Sequence, residues 1–223
     1  MSLGFQVRPK LHANDPALLD AARGIPTPLL SDNMARVYGA GAALRPMHDG
    51  APLLGFAVTV KTRPGDNLMV HKAIDLSGPG DVIVVDAGGD LSNAIIGEIM
   101  LTLALKRGIA GFVIDGAIRD SDAIARSSLP VFARGANHRG PYKDGPGEIN
   151  VAAVIGGQTV MPGDVIVGDA DGVLALPRAD VAAICRLARE QMAREDATMR
   201  QIADGTIDRS WVDATLRAKG VAV

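Results

Sequence analysis

The sequence has a single cysteine, Cys185, in 223 residues. That excludes a disulfide framework and a cysteine-rich zinc site. The residue lies in a helical pattern, Val181-Ala-Ala-Ile-Cys185-Arg-Leu-Ala188, and reads as a small core side chain. Aromatic residues are scarce too, with one Trp, two Tyr and four Phe, too few for a base-stacking platform. Neither sign of charge is in excess, since 23 Lys and Arg face 25 Asp and Glu for a net charge of −2. Surfaces that track phosphates need clustered cations, so nucleic acid is not an expected partner. No apolar run reaches the ~18 residues of a membrane span. The longest uncharged stretch, Ile149 to Gly163, is broken by Asn150, Gly156, Gly157, Gln158 and Pro162. Residues Met1 to Lys10 lack the apolar core of a signal peptide. No membrane partner is expected, and the expected location is cytoplasmic. Nucleotide-loop (G-x-x-x-x-G-K-S/T), serine-hydrolase (G-x-S-x-G) and zinc-protease (H-E-x-x-H) patterns are all missing. His12, His48 and His71 show no zinc-ligand spacing with one another.

What is present is a globular chain, 48% apolar, with enough hydrophobic material for a sizeable core. Val- and Ile-rich runs alternate with helical patterns, which indicates an α/β fold. Asn14-Asp15-Pro16 and Thr27-Pro28 read as helix starts. Strands are expected at 55–62, 81–86, 111–115, 129–133, 149–155, 165–168 and 173–176, and helices at 67–76, 96–107 and 120–127. From Arg178 onward the chain reads as polar and helical, with a break at Asp204-Gly205. The expected organisation is an N-terminal helical segment (1–24), a core (25–177) and C-terminal helices (178–223). The helix at 96–107 is apolar almost throughout, so burial on most faces is expected. A short echo, Pro79-Gly-Asp-Val-Ile-Val84 and Pro162-Gly-Asp-Val-Ile-Val167, reads as a turn into a strand used twice, or as two similar strands in facing sheets.

Three segments could carry chemistry. Gly97-Glu98-Ile99-Met100 opens a helix whose unpaired N–H groups suit a carboxylate or phosphate; the alternative is a helix start capped by water, Ser92 or Asn93. In Gly111-Phe-Val-Ile-Asp-Gly-Ala-Ile-Arg-Asp120 a buried strand delivers Arg119 and Asp120 beyond its carboxyl end, where α/β sheets bind ligands. Arg119 could clamp a carboxylate or enolate oxygen and Asp120 could hold a hard cation. Alternatively, Asp120 N-caps the next helix and Arg119 is a surface ion-pair partner. The Gly/Pro-rich stretch Arg134 to Glu148 offers His138, Arg139 and Lys143 to an anion, or forms a solvated tip.

In combination, Pro79 to Asp86, Gly97 to Met100, Gly111 to Asp120 and Pro162-Gly-Asp-Val-Ile-Val-Gly-Asp-Ala-Asp-Gly-Val173 resemble the 4-hydroxy-4-methyl-2-oxoglutarate aldolase family over roughly residues 25–205. That family also holds the regulator of ribonuclease activity A, and members have been labelled demethylmenaquinone methyltransferase, a label no Gly-rich nucleotide turn supports here. The resemblance implies a single-domain β/β/α "swivelling" sandwich with a C-terminal helical extension, assembled as trimers or hexamers with sites between subunits. It implies a metal-dependent (class II) pyruvate aldolase acting on a small 2-oxo acid, with oxaloacetate decarboxylation through the same enolate. The backbone of Gly97, Glu98, Ile99 and Met100 would bind the pyruvoyl carboxylate, and Arg119 would contact the substrate oxygens. Asp120 would hold Mg²⁺ or Mn²⁺, Glu98 would stand beside the metal waters, and Glu195 (or Glu190) would come from a neighbour's C-terminal helix. The alternative within the family is a non-catalytic, protein-binding regulator. Asp120, the metal anchor, favours the enzyme.

Overall fold

Alternation along single strands decides the central layer. In Asp81–Asp86, Val82 and Val84 enter one core while Ile83 and Val85 enter another, all fully buried. Both faces of that strand are therefore covered, as its uninterrupted apolar run requires. The structure, a computed structural model, describes residues 3–223. In chain order its elements are β1 (Phe5–Val7), α1 (Pro16–Ala22), α2 (Thr27–Asp32), β2 (Arg45–Pro46), β3 (Leu53–Thr62), α3 (Leu68–Leu76), β4 (Asp81–Asp86), β5 (Ala94–Ile96), α4 (Glu98–Lys106), β6 (Gly111–Ile118), α5 (Ser121–Ala125), β7 (Val131–Ala136), β8 (Gly147–Ile149), β9 (Ala153–Ile155), β10 (Gln158–Val160), β11 (Val165–Asp169), β12 (Gly172–Leu176), α6 (Val181–Ala203) and α7 (Ser210–Ala218).

Strands β3, β4, β6 and β7 run parallel at the centre of a ten-stranded sheet ordered β1-β8-β3-β4-β6-β7-β2. The β11–β12 ribbon joins at β3, and β5 pairs with the end of β6. Three cores separate the layers. One lies between the sheet and α3–α5, with Ile83, Val85, Ile114, Met100 and Leu101. A second lies under β9–β12, with Phe132, Val84, Val113 and Ile166. The third packs α1, α2 and α6 on the outer side of the ribbon, with Leu30, Phe56, Val165 and Ile184. This is a mixed α/β single domain of β/β/α layering with C-terminal helices.

Several local expectations change. Within the N-terminal segment read as helical, Phe5–Val7 forms a strand paired with β8. The run at 149–155 splits into β8 and β9, because Asn150 takes a left-handed conformation at φ 57. Thr27 does not cap α2; its N–H and Oγ1 donate to Asp169 at 2.8 and 2.6 Å, tying the helix to the end of β11. Helix α4 is buried on one face only. Met100, Leu101 and Ala104 face the core, whereas Ile99 and Leu103 are 72% and 46% exposed.

The repeated hexapeptide is one turn used twice. Gly80 and Gly163 sit at φ 81 and 88, a region that costs glycine little and other residues more. The following aspartate then folds back, so that Gly78 N–H donates to Asp81 Oδ2 and Met161 N–H to Asp164 Oδ2, both at 2.8 Å. Both strands pair with β3 in the same sheet, so the facing-sheets alternative is not what forms. Asp81 also accepts from Lys10 Nζ at 2.7 Å and Asn14 Nδ2 at 3.0 Å. Asp164 has backbone donors only, and burial pushes its carboxyl above the usual range.

Asp81→Ala should cost about 2–3 kcal/mol, because buried donors lose their acceptor. Lys10→Ala should cost less, since Lys10 is partly exposed and leaves a carboxylate still bonded to Gly78 and Asn14. Urea denaturation with unchanged slope is the measurement; a larger loss at Lys10 than at Asp81 would contradict the account.

Candidate functional site

The site forms where β5, β6 and β7 end, at the carboxyl edge of the parallel strands, where loops of α/β sheets meet ligands. Strand β6 runs on to Ile118, past the end expected at Asp115, because β5 and β7 continue to pair with it. Asp115 has a structural task instead: it is ion-paired with Arg134 and accepts Gly156 N–H at 3.0 Å, anchoring the β9–β10 hairpin. Arg119 and Asp120 therefore emerge directly from the strand.

Asp120 occupies the position preceding α5 but does not cap it. Its backbone is left-handed, at φ 56 and ψ 43, a strained choice that costs an aspartate roughly 1 kcal/mol. The strain turns the carboxylate onto the neighbouring helix, where Oδ2 accepts Glu98 N–H at 2.9 Å. Arg119 Nε lies 3.8 Å from the same oxygen. The Asp120 side chain is 42% exposed, and its other oxygen has no hydrogen-bond partner among the described residues.

Gly97 explains how these groups come so close. A Cβ at position 97 would collide with Asp120 Oδ2 and approach Arg119 Nε to 3.1 Å. The backbone there is extended, at φ −150, so the need for glycine is space rather than conformation. Gly140 has a similar role behind the guanidinium, with Arg119 Nη1 3.1 Å from where its Cβ would be. Neither Ser92 nor Asn93 caps α4; they bond Asp90 and Gly140. Glu98 N–H is taken by Asp120, and the N–H groups of Ile99 and Met100 have no acceptor among the described residues. Those two donors, with the positive end of the helix, are the anion-receptive part of the Gly97–Met100 segment.

Two cavities meet at Arg119. The smaller, about 120 Å³, is lined by Asn67, His71, Gly97, Ile99, Met100, Arg119 and Lys143, among others. The larger and more open, about 630 Å³, is lined by Arg119, Asp120, Ser121, Asn137, His138 and Arg139, among others. So Lys143 faces the small cavity, while His138 and Arg139 line the open one. Sequence reading missed Asn67 and gave His71 no role. They stand four apart, Asn67 just before α3 and His71 in its first turns, and only that spacing could have flagged them. Asn67 is 2% exposed; its Nδ2 donates to Ile95 O at 2.8 Å, while its Oδ1 has no partner among the described residues. A buried acceptor without a donor beside an anion-receptive cavity is a place for a ligand hydroxyl or a water. Burial, together with the nearby Lys143 charge, pulls the His71 imidazole below its usual range, against a smaller opposing effect of Asp75.

Glu195 is not at this site within one chain. It lies on α6, where Gln191 Nε2 donates to Glu195 Oε1 at 2.9 Å and to Asp32 Oδ2 at 3.0 Å. Glu190 is ion-paired with Arg186 at 2.7 Å. Helix α6 packs on α1 and α2, away from α4. Among the described residues no helix is long and apolar enough to cross a membrane.

Residues 27–175 match the RraA-like family, described as Aldolase/RraA. The chain belongs to that family. A family relative from Halalkalibacterium halodurans, provisionally named a 4-hydroxy-4-methyl-2-oxoglutarate aldolase, is 41% identical over 185 residues, 83% of this chain and 88% of that one. The solved structure of an uncharacterised protein from Pseudomonas syringae pv. tomato superposes with TM-score 0.78 at 29% identity, covering 88% of this chain and 96% of that one. The RNA-processing inhibitor RraA from Thermus thermophilis superposes with TM-score 0.62 at 31% identity, covering 68% and 92%. The family core thus includes Gly97, Arg119 and Asp120, whereas α6 and α7 lie outside the matched region.

Two measurements check this geometry. Gly97→Ala should destabilise the fold by about 1–3 kcal/mol through overpacking, and Asp120→Ala in the same chain should relieve part of that loss. Simple additivity would mean that the two groups do not touch. His71 should titrate by NMR below the usual ~6.5, and Lys143→Ala should move it upward; a midpoint unmoved by that change would place Lys143 elsewhere.

Proposed function

We propose that this chain is a divalent-metal-dependent pyruvate aldolase. Its substrates would be 4-hydroxy-2-oxo acids such as 4-hydroxy-4-methyl-2-oxoglutarate or 4-carboxy-4-hydroxy-2-oxoadipate, with oxaloacetate decarboxylation as a side reaction. The observation that carries the reading is the Asp120 carboxylate, turned away from its own helix and held between the α4 N-terminus and Arg119. A cap of α5 would need no left-handed backbone and no glycine opposite it. After accepting Glu98 N–H, the half-exposed carboxylate still has an oxygen without a partner among the described residues, open to a cation. A purely protein-binding regulator, the alternative, would leave this arrangement without a task.

The donor set fits Mg²⁺ or Mn²⁺. Among the described residues no group of three His, Cys, Asp or Glu could cage a metal, and a lone carboxylate suits a cation that keeps much of its water. Asp120 would hold that ion, which when bound would supply Lewis-acid stabilisation at the 2-keto oxygen.

The chain's own groups account for binding and orientation. Ile99 and Met100 N–H receive the pyruvoyl carboxylate, and Lys143 adds positive charge on the far side of the small cavity. Arg119 presents a planar fork to the oxygens that gain charge. In retro-aldol cleavage the C3–C4 bond breaks, its electron pair passes to C3 of the pyruvate fragment, and the 4-hydroxyl proton leaves to a base. Glu98, at the start of α4, and Glu195 of a second copy are the carboxylates proposed to manage that proton through water. Glu195 reaches the site only in an assembly. Exposed Ile99 and Leu103 on α4, and exposed Met199, Ile202 and Trp211 on α6 and α7, are apolar surface that a trimer or hexamer would cover.

Pyruvate release from 4-hydroxy-2-oxo acids should vanish in chelator and return with Mg²⁺ or Mn²⁺, and Asp120→Ala should be folded but near-inactive. Borohydride with pyruvate should trap no adduct; full activity in excess chelator would contradict the reading. Arg119→Lys keeps the charge but loses the fork, so kcat/KM should fall by ~10²-fold or more for cleavage and decarboxylation alike. Unchanged kinetics on both substrates would return the regulator to contention. Light scattering should give a trimer or a dimer of trimers; a fully active monomer would remove Glu195 from the mechanism.

A further inference from the structure

Lys143 is an exposed residue in a loop, yet it lines the small cavity beside Asn67 and His71. What keeps it there is a carboxylate on the opposite side of the loop. Asp66 is 0% exposed. Its Oδ2 accepts Asp144 N–H at 2.8 Å, Gly145 N–H at 2.9 Å and Arg63 Nη2 at 3.1 Å. Its Oδ1 accepts Leu68 N–H at 2.9 Å, opening α3. The backbone adds a bridge between Asp66 and Tyr142, with Tyr142 N–H donating to Gly65 O at 2.8 Å and Asn67 N–H to Tyr142 O at 3.0 Å. One buried anion thus fastens both residues that follow Lys143 to the helix start that carries Asn67 and His71. Burial alone would raise the Asp66 carboxyl, but the Leu68, Asp144 and Gly145 N–H groups and Arg63 outweigh it and hold it below the usual range. The latch is therefore charged wherever the protein is folded near neutrality.

We propose that Asp66 is a positioning residue that sets the affinity of the small cavity for a 2-oxo acid carboxylate by holding Lys143 against it. This rests on reading that cavity as the 2-oxo acid site. Asp66 itself touches no substrate; it acts through the loop. Asp66→Asn keeps the shape but aims an amide N–H₂ or a single acceptor at a ring of four donors, so the loop loses at least part of its anchor.

The test is a double-mutant cycle read by calorimetric binding of oxalate, a planar dianion resembling pyruvate enolate, in the presence of Mg²⁺. Asp66→Asn and Lys143→Ala should each weaken binding about tenfold or more, and the double variant should bind no worse than Lys143→Ala alone. Oxalate affinity equal to wild type in Asp66→Asn, or losses that multiply in the double variant, would overturn the proposal. Should Asp66→Asn fail to fold, Arg63→Met attacks the same carboxylate from the exposed side of the molecule and should weaken oxalate about threefold, only when Lys143 is present; no effect would overturn the proposal equally. Turnover is measured separately. A wild-type chain that binds oxalate but releases no pyruvate would defeat the aldolase reading and leave the cycle to decide on Asp66, whereas no oxalate binding at all would defeat both.

Discussion

A single carboxylate faces two helix starts and serves only one of them. Asp120 directly precedes α5, where an aspartate ordinarily caps, but it bonds the first N–H of α4 instead. Everything at the site follows from that choice. The left-handed backbone of Asp120 aims the side chain, the missing Cβ at Gly97 admits it, and Arg119 lies alongside it. The first N–H of α4 is consumed, and the next two remain for a ligand. The strain of roughly 1 kcal/mol at Asp120 is small against the core beneath it. Fully buried side chains such as Ile114, Ile118 and Ile95 surround the strand ends and hold β5, β6 and β7 in register.

The parallel sheet was legible because its strands are uninterrupted apolar runs between turn residues. β4 begins and ends at the residues expected, and α3 begins one residue late. The chemistry-bearing segments were legible for a related reason, because a buried apolar strand that runs straight into Arg119 and Asp120 delivers charged groups to the sheet edge where ligands bind. What stayed hidden depended on contacts distant in sequence. Nothing local says that Asp120 bonds a residue twenty-two positions earlier, or that Thr27 binds Asp169 rather than capping its helix. Asn67 and His71 were invisible because a short polar pair at a helix start looks like solvated surface until Lys143 arrives from seventy residues away. An almost wholly apolar helix such as α4 suggests a core on every side, but here one side faces outward.

That outward face connects the fold to the proposed assembly. Ile99 carries one of the two N–H groups proposed to receive the substrate carboxylate, and its side chain is both exposed and part of the small-cavity wall. A second copy covering α4 would close that wall and exclude water from the site, which strengthens every charge interaction inside it. The C-terminal helices point to the same need, since α7 buries no residue and the distal half of α6 carries exposed Met199 and Ile202. In this account the cationic cavity of one chain and the Asp32–Gln191–Glu195 cluster of another are complementary in charge.

The central claim is that Asp120 binds a cation in addition to holding the first N–H of α4, and metal binding tests it without relying on turnover. Titration of Mn²⁺ in the presence of pyruvate, followed by electron paramagnetic resonance, should show one site per chain in the wild type. Asp120→Asn can still accept Glu98 N–H but loses the negative charge, so it should remain folded and lose that site. Equal Mn²⁺ binding by the two proteins would contradict the account.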